Sequence, residues 1–155
     1  ARTGALVRLE SVGGAGGLRG CAGSHDDDGQ LGHAIVDAAI EAASRDSCGS
    51  EVEGAELRNI KVSVCIVRDL FRTTDPVEDL EIGRHGLVVD APGRTGWLYP
   101  TIPAEHGWSV YEYLDRTCRK IGVAPTAWED EDTTLTLFDG LVFRERSPGG
   151  TIQQP

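Results

Sequence analysis

The chain contains no methionine and only two lysines, Lys61 and Lys120, while its other basic residues are all arginine. The missing methionine implies that the natural start lies outside this sequence. Clustered lysine and arginine are scarce and the formal net charge is −10, which excludes a surface built for non-specific binding of nucleic acid or anionic membrane. The preference for Arg over Lys, with acidic residues scattered along the chain, suggests an extreme halophile, so the charge reports habitat more than partner. No run approaches the roughly 20 apolar residues of a membrane span and no signal-peptide pattern is visible, which predicts a soluble cytoplasmic protein with no membrane partner. The four cysteines include no C-x-x-C pair, which argues for thiols in a reducing compartment over a disulfide framework. The glycine-rich stretch Gly13-Gly14-Ala15-Gly16-Gly17 is followed by neither a helix start nor Lys-Ser/Thr, so it reads as a hairpin loop and not as a phosphate cradle.

What is present is enough for one core. With 155 residues, 39% of them hydrophobic, the chain is expected to form a single domain over 1–146, with a turn-rich mobile tail over 147–155. Alternation predicts strands over 4–10 and 60–68, a further strand over 86–90 and a short one at Trp97-Leu98-Tyr99. Leu31, Ala34, Ile35, Ala38, Ala39 and Ala42 follow helical spacing, with His33, Asp37 and Glu41 opposite, predicting an amphipathic helix over about 30–45. Asp26, Asp27 and Asp28 would complement the positive end of that helix. Ser109 and Glu112 form a capping box with Trp108 placed to staple Tyr113, so a second helix starts at Val110 and stops at Gly122. Asp139-Gly140 between two apolar runs predicts a tight hairpin turn. The sum is an α+β fold: a mainly antiparallel sheet with flanking helices, in two lobes with a cleft between them.

The stretch with chemical promise is Leu18-Arg19-Gly20-Cys21-Ala22-Gly23. In an extended segment Arg19 and Cys21 share a face, with Leu18 and Ala22 on the other. A guanidinium beside a thiol favours thiolate, and Gly20 and Gly23 leave room for a ligand to approach the backbone. His25 could serve as base or ligand, or could simply be a solvated loop residue. In Gly83-Arg84-His85-Gly86 glycines again bracket an arginine and a titratable group, a second candidate wall of a cleft or else a polar turn. Cys48 lies in a polar loop, whereas Cys65 and Cys118 read as structural. Cys21, His25, Cys48 and His85 offer suitable metal-ligating atoms without paired spacing, so no metal site is predicted.

The same hexapeptide resembles the hallmark of the AMMECR family, L-R-G-C-I-G, with Ala22 in place of Ile. Further stretches resemble the family in order: Gly4 to Leu9, Val62-Ser63-Val64, Glu81 to Leu87, Leu98-Tyr99-Pro100, Gly107-Trp108, Leu137-Phe138 and Phe143-Arg144-Glu145. Two stretches depart. The family's D-P-R-F reads Asp46-Ser47-Cys48-Gly49, and its L-L-P-Q-V reads Leu98-Tyr99-Pro100-Thr101-Ile102, so no role of that Phe or Gln carries over. The resemblance implies a helical segment ahead of the first strand, no cofactor that can be named, and no secured activity. It also implies association with a Memo-like protein and a radical S-adenosylmethionine (SAM) protein, modifying a larger substrate such as RNA. Two functional classes follow. One is an enzyme component with Cys21 and His85 as catalytic groups and Arg19, Gly20, Gly23 and Arg84 binding an anionic or carbonyl-containing substrate in a shared cleft. The other is an adaptor for the Memo-like partner that does no chemistry.

Overall fold

The structure, a computed structural model, describes residues 3–13, 16–26, 29–44 and 50–155. Its elements are β1 (Thr3–Ser11), β2 (Gly17–Asp26), α1 (Leu31–Ala43), a 3₁₀ turn (Gly54–Asn59), β3 (Ile60–Thr73), α2 (Pro76–Asp79), β4 (Gly86–Ala91), β5 (Arg94–Leu98), α3 (Ile102–His106), α4 (Val110–Lys120), a second 3₁₀ turn (Ala127–Glu129), β6 (Thr134–Glu145) and β7 (Ile152–Gln153). The strand pairings described are antiparallel. The α+β architecture is therefore as the sequence predicts. No helix among the described residues is long and apolar enough to cross a membrane.

The chain divides into two compact units, residues 1–67 with 141–155, and residues 68–140. In the first, β1 lies between β2 and β3. One face of this sheet presents Val7, Leu9, Ala22 and Ile60, which pack with Ala38 and Ala42 of α1. Of the alanines predicted for the inner face of α1, Ala34, Ala38 and Ala42 are buried and Ala39 is half-buried, and their small side chains let the helix lie close to the strands. The helix begins with Gln30 as its N-cap, which makes no side-chain capping bond; Asp27 and Asp28 lie outside the described residues. The turn Ser147–Gly150 returns the tail as β7, pairing Arg144 with Gln153 and Glu145 with Ile152.

In the second unit β4 lies between β5 and β6. Helix α4 starts at Val110 with both bonds of the capping box formed, and Gly122, at φ 78°, follows its end. The predicted turn at Asp139-Gly140 is not formed, because β6 runs unbroken from Thr134 to Glu145 through both residues. Its first half pairs with β4, from Gly86 opposite Phe138 to Asp90 opposite Thr134, and its last residues pair with β7. Pairing of the residues before the turn signal with β4, and of those after it with β7, outweighs the local turn preference.

Candidate functional site

The hallmark cysteine sits in β2 of the first unit, and the register of the sheet determines its neighbours. Cys21 lies opposite Arg8, which in turn lies opposite Ser63 of β3. Directly opposed residues on paired strands share a face, so thiol, guanidinium and hydroxyl form one row, on the face turned away from α1. The adjacent row is Gly23, Leu6 and Cys65. All three polar members of the first row are buried: Cys21 is 3% exposed, Arg8 7% and Ser63 1%.

The arginine beside Cys21 across the strands is therefore Arg8. Regular alternation predicts Arg19 on the Cys21 face, but the pairing shifts between Leu9 and Glu10, with Leu9 facing Gly20 and Glu10 facing Leu18. Arg19 is the extra residue of a β-bulge, a device that re-aims a side chain and interrupts alternation. It forms an ion pair with Glu56 at 3.2 Å, while Arg8 Nε lies 3.5 Å from Glu10 Oε1. Gly20 and Gly23 occupy the positions opposite Leu9 and Leu6. His25 lies within β2, opposite Gly4, and not in a loop. Its side chain and Cys48 lie outside the described residues.

Burial, and then the charge of the nearby Cys21 thiolate, push the Cys65 thiol from its ordinary 9.0 up to about 12. Burial likewise raises Cys118 on α4, partly opposed by a backbone hydrogen bond at Trp128. With the folded value raised, the unfolded chain loses this proton first. Stability is then fully present below about pH 9 and falls as pH rises towards 12. Between pH 9 and 10 the unfolding free energy of the wild type should fall by about 1 kcal/mol more than that of Cys65→Ala, as urea titrations would measure. Equal pH dependence in the two proteins would contradict this assignment. A Cys21–Cys65 disulfide is excluded by geometry, because β1 lies between their strands and two interstrand spacings of about 4.8 Å exceed disulfide reach.

The other candidate segment lies in the second unit. Gly83 takes φ 89°, and a Cβ on Gly86 would collide with the Phe138 ring, so both bracketing glycines have structural causes. Arg84 grips Asp139 in a fork, Nε to Oδ1 at 2.9 Å and Nη2 to Oδ2 at 3.2 Å, and also reaches Glu81 at 3.3 Å. The hydrogen bonds from Arg84 hold the Asp139 carboxyl below its ordinary range, and those bonds raise Arg84 in return. His85 is buried, with its Nδ1 accepting the Glu81 backbone N–H at 2.9 Å. Nδ1 thus carries the lone pair and the ring proton belongs on Nε2, which lies 3.9 Å from Asp139 Oδ1. Phe71 meets the imidazole edge-on at 5.6 Å, and Tyr113 donates its hydroxyl proton to the His85 carbonyl at 3.0 Å.

Cys21, Arg19, Gly20 and Gly23 thus fall in the first unit, and Arg84 and His85 in the second. Sequence reasoning missed Arg8, Ser63 and Asp139. The available signal was the alternation of β1, which puts Arg8 in phase with the buried Leu6, an unusual place for a charge. Among the described residues no group of three or more His, Cys, Asp or Glu side chains could hold a metal ion.

This α+β fold, with a cysteine hallmark on the edge strand β2, is that of a known class of domains. A family model for AMMECR1 matches residues 1–143, and the chain belongs to the AMMECR1 family. It is 62% identical over 151 residues to protein VNG_2543C of Halobacterium salinarum, covering 93% of this chain and 72% of that protein. It is 34% identical over 143 residues to protein MK0488 of Methanopyrus kandleri, covering 88% and 69% respectively. The crystal structure of the uncharacterized protein PH0010 from Pyrococcus horikoshii superposes with a TM-score of 0.83 at 32% identity, over 99% of this chain and 79% of that one.

Proposed function

We propose that the protein is the substrate-holding component of a modification system, with the Cys21 thiol as its reactive group and an anionic or carbonyl-containing compound as its substrate. The observation that carries this reading is the buried row Cys21–Arg8–Ser63 on a strand face. Burying a guanidinium and a hydroxyl where apolar side chains would pack costs free energy, and such departures concentrate at functional sites. A cation beside a thiol favours the nucleophilic thiolate. Arg19, Gly20 and Gly23 complete the segment that presents Cys21. In the second unit Arg84 binds substrate charge, while His85 acts through the Nε2 proton, since its Nδ1 lone pair is held by Glu81. The associated proteins are a Memo-like protein and a radical SAM protein, with RNA as the larger substrate.

A second reading, a non-catalytic adaptor for the Memo-like protein, is favoured by the burial of Cys21, whose thiol is poorly placed for attack on a bulky substrate. The two readings part in a strain lacking the gene. Cys21→Ser keeps the shape and removes the nucleophile, so it should fail to restore the wild-type phenotype while Cys65→Ser restores it. Full restoration by Cys21→Ser would leave the adaptor.

A further inference from the structure

The hydroxyl of Ser63 is not accounted for by the fold. It is 1% exposed, and among the described residues no group hydrogen-bonds to its Oγ. A buried hydroxyl left without a partner costs roughly 1–3 kcal/mol, so an orphan of this kind calls for an occupant. Its surroundings narrow the choice. Directly across β1 stands Arg8, and beyond Arg8 stands Cys21, while Lys61 and Glu10 form the next pair along the same face. Arg8 already meets the Glu10 carboxylate, and what it adds to the row is its permanent positive charge. An incoming group thus meets an unpartnered neutral O–H beside a cation. That combination suits an oxygen carrying negative charge and is wasted on an apolar or cationic one.

We infer that Arg8 and Ser63 form an oxyanion-binding pair, which takes the carboxylate or phosphate group of the ligand and sets the adjacent part of that ligand against the Cys21 thiol. This rests on the reading of Cys21 as the centre of the site and names the group by which the substrate is held. Ser63 is a positioning and binding residue and takes no proton in the chemistry.

The test uses thermal unfolding of the full chain in constant molar KCl, with millimolar inorganic phosphate and millimolar acetate added in separate titrations. At these concentrations general salt effects are held constant by the KCl. The wild type should gain about 3 °C with one of the two anions, and that anion identifies the group as phosphate or carboxylate. Ser63→Ala should unfold without anion at a temperature no lower than the wild type, because it deletes an unpartnered hydroxyl, and should lose the anion-dependent gain. Ser63→Cys, close in shape and a weak donor, guards against a packing artefact and should lose it too. A wild type that responds to neither anion, or a gain undiminished in both variants, overturns the inference. Cys21→Ser separates the two claims. If it retains the gain yet restores the deletion strain, the thiol chemistry falls and the anion site stands. If Cys21 is required in the strain but no anion shifts the wild type, the reverse holds.

Discussion

Gly86→Ala is expected to destabilise the second unit by about 3 kcal/mol, near the upper end of what overpacking a core costs. Gly86 opens β4 directly opposite Phe138 of β6, and an added methyl would enter the Phe138 ring itself. The ring has no simple escape, since Phe138 is fully buried and the Trp97 indole lies 5.7 Å away at a tilt of 53°. Alanine would normally gain roughly 0.5–1 kcal/mol over glycine within a strand, so the sign of the result separates steric collision from backbone propensity. Urea titration gives the number directly. A loss below about 0.5 kcal/mol would mean that the Phe138 ring moves aside.

Arg8→Ala is expected to cost about 3 kcal/mol, at the low end for breaking a buried ion pair because the Glu10 side chain retains 21% exposure and some access to water. Part of the loss is packing, since the stem of a buried arginine covers apolar surface. Arg8→Met restores that volume without the charge and should recover a substantial part of the stability while leaving the site unable to hold an anion. Should Arg8→Ala lie within about 1 kcal/mol of the wild type, Arg8 is hydrated and mobile rather than fixed in the row.

The features that could be read from the sequence were those governed by near neighbours. The alternation of residues 4–10, the alanine stripe of α1 and the Ser109–Glu112 capping box each follow from a period or an i to i+3 relation, and each is present in the structure. The hallmark drew attention to Cys21 for the same local reason. Its partner was hidden because a bulge is a property of two strands at once. Nothing within Leu18 to Gly23 announces that β2 advances two residues while β1 advances one, yet that shift places Arg8 across from Cys21. Asp139 was misread for a related cause. Its Asp-Gly signal is a valid turn preference, overruled by pairing of the residues before it with β4 and of those after it with β7. The strand so formed brings the Asp139 carboxylate to Arg84 and His85, a cluster that spacing could not foretell.

The central claim is that Cys21 is a nucleophile whose neighbouring cation, Arg8, draws an anionic substrate. Alkylation of the native protein by iodoacetate and by iodoacetamide, followed at each cysteine by peptide mass spectrometry, tests both halves. The two reagents form the same kind of S–C bond with loss of iodide and differ in that iodoacetate carries a carboxylate. Free thiolates favour the neutral reagent. In the wild type Cys21 should instead be modified faster by iodoacetate than by iodoacetamide, and Arg8→Met should reverse that order, while Cys65, held as a thiol up to about pH 12, stays unmodified by both at neutral pH. A Cys21 that reacts with neither reagent while the unfolded chain is fully alkylated, or that keeps the same order of rates without Arg8, would contradict the account.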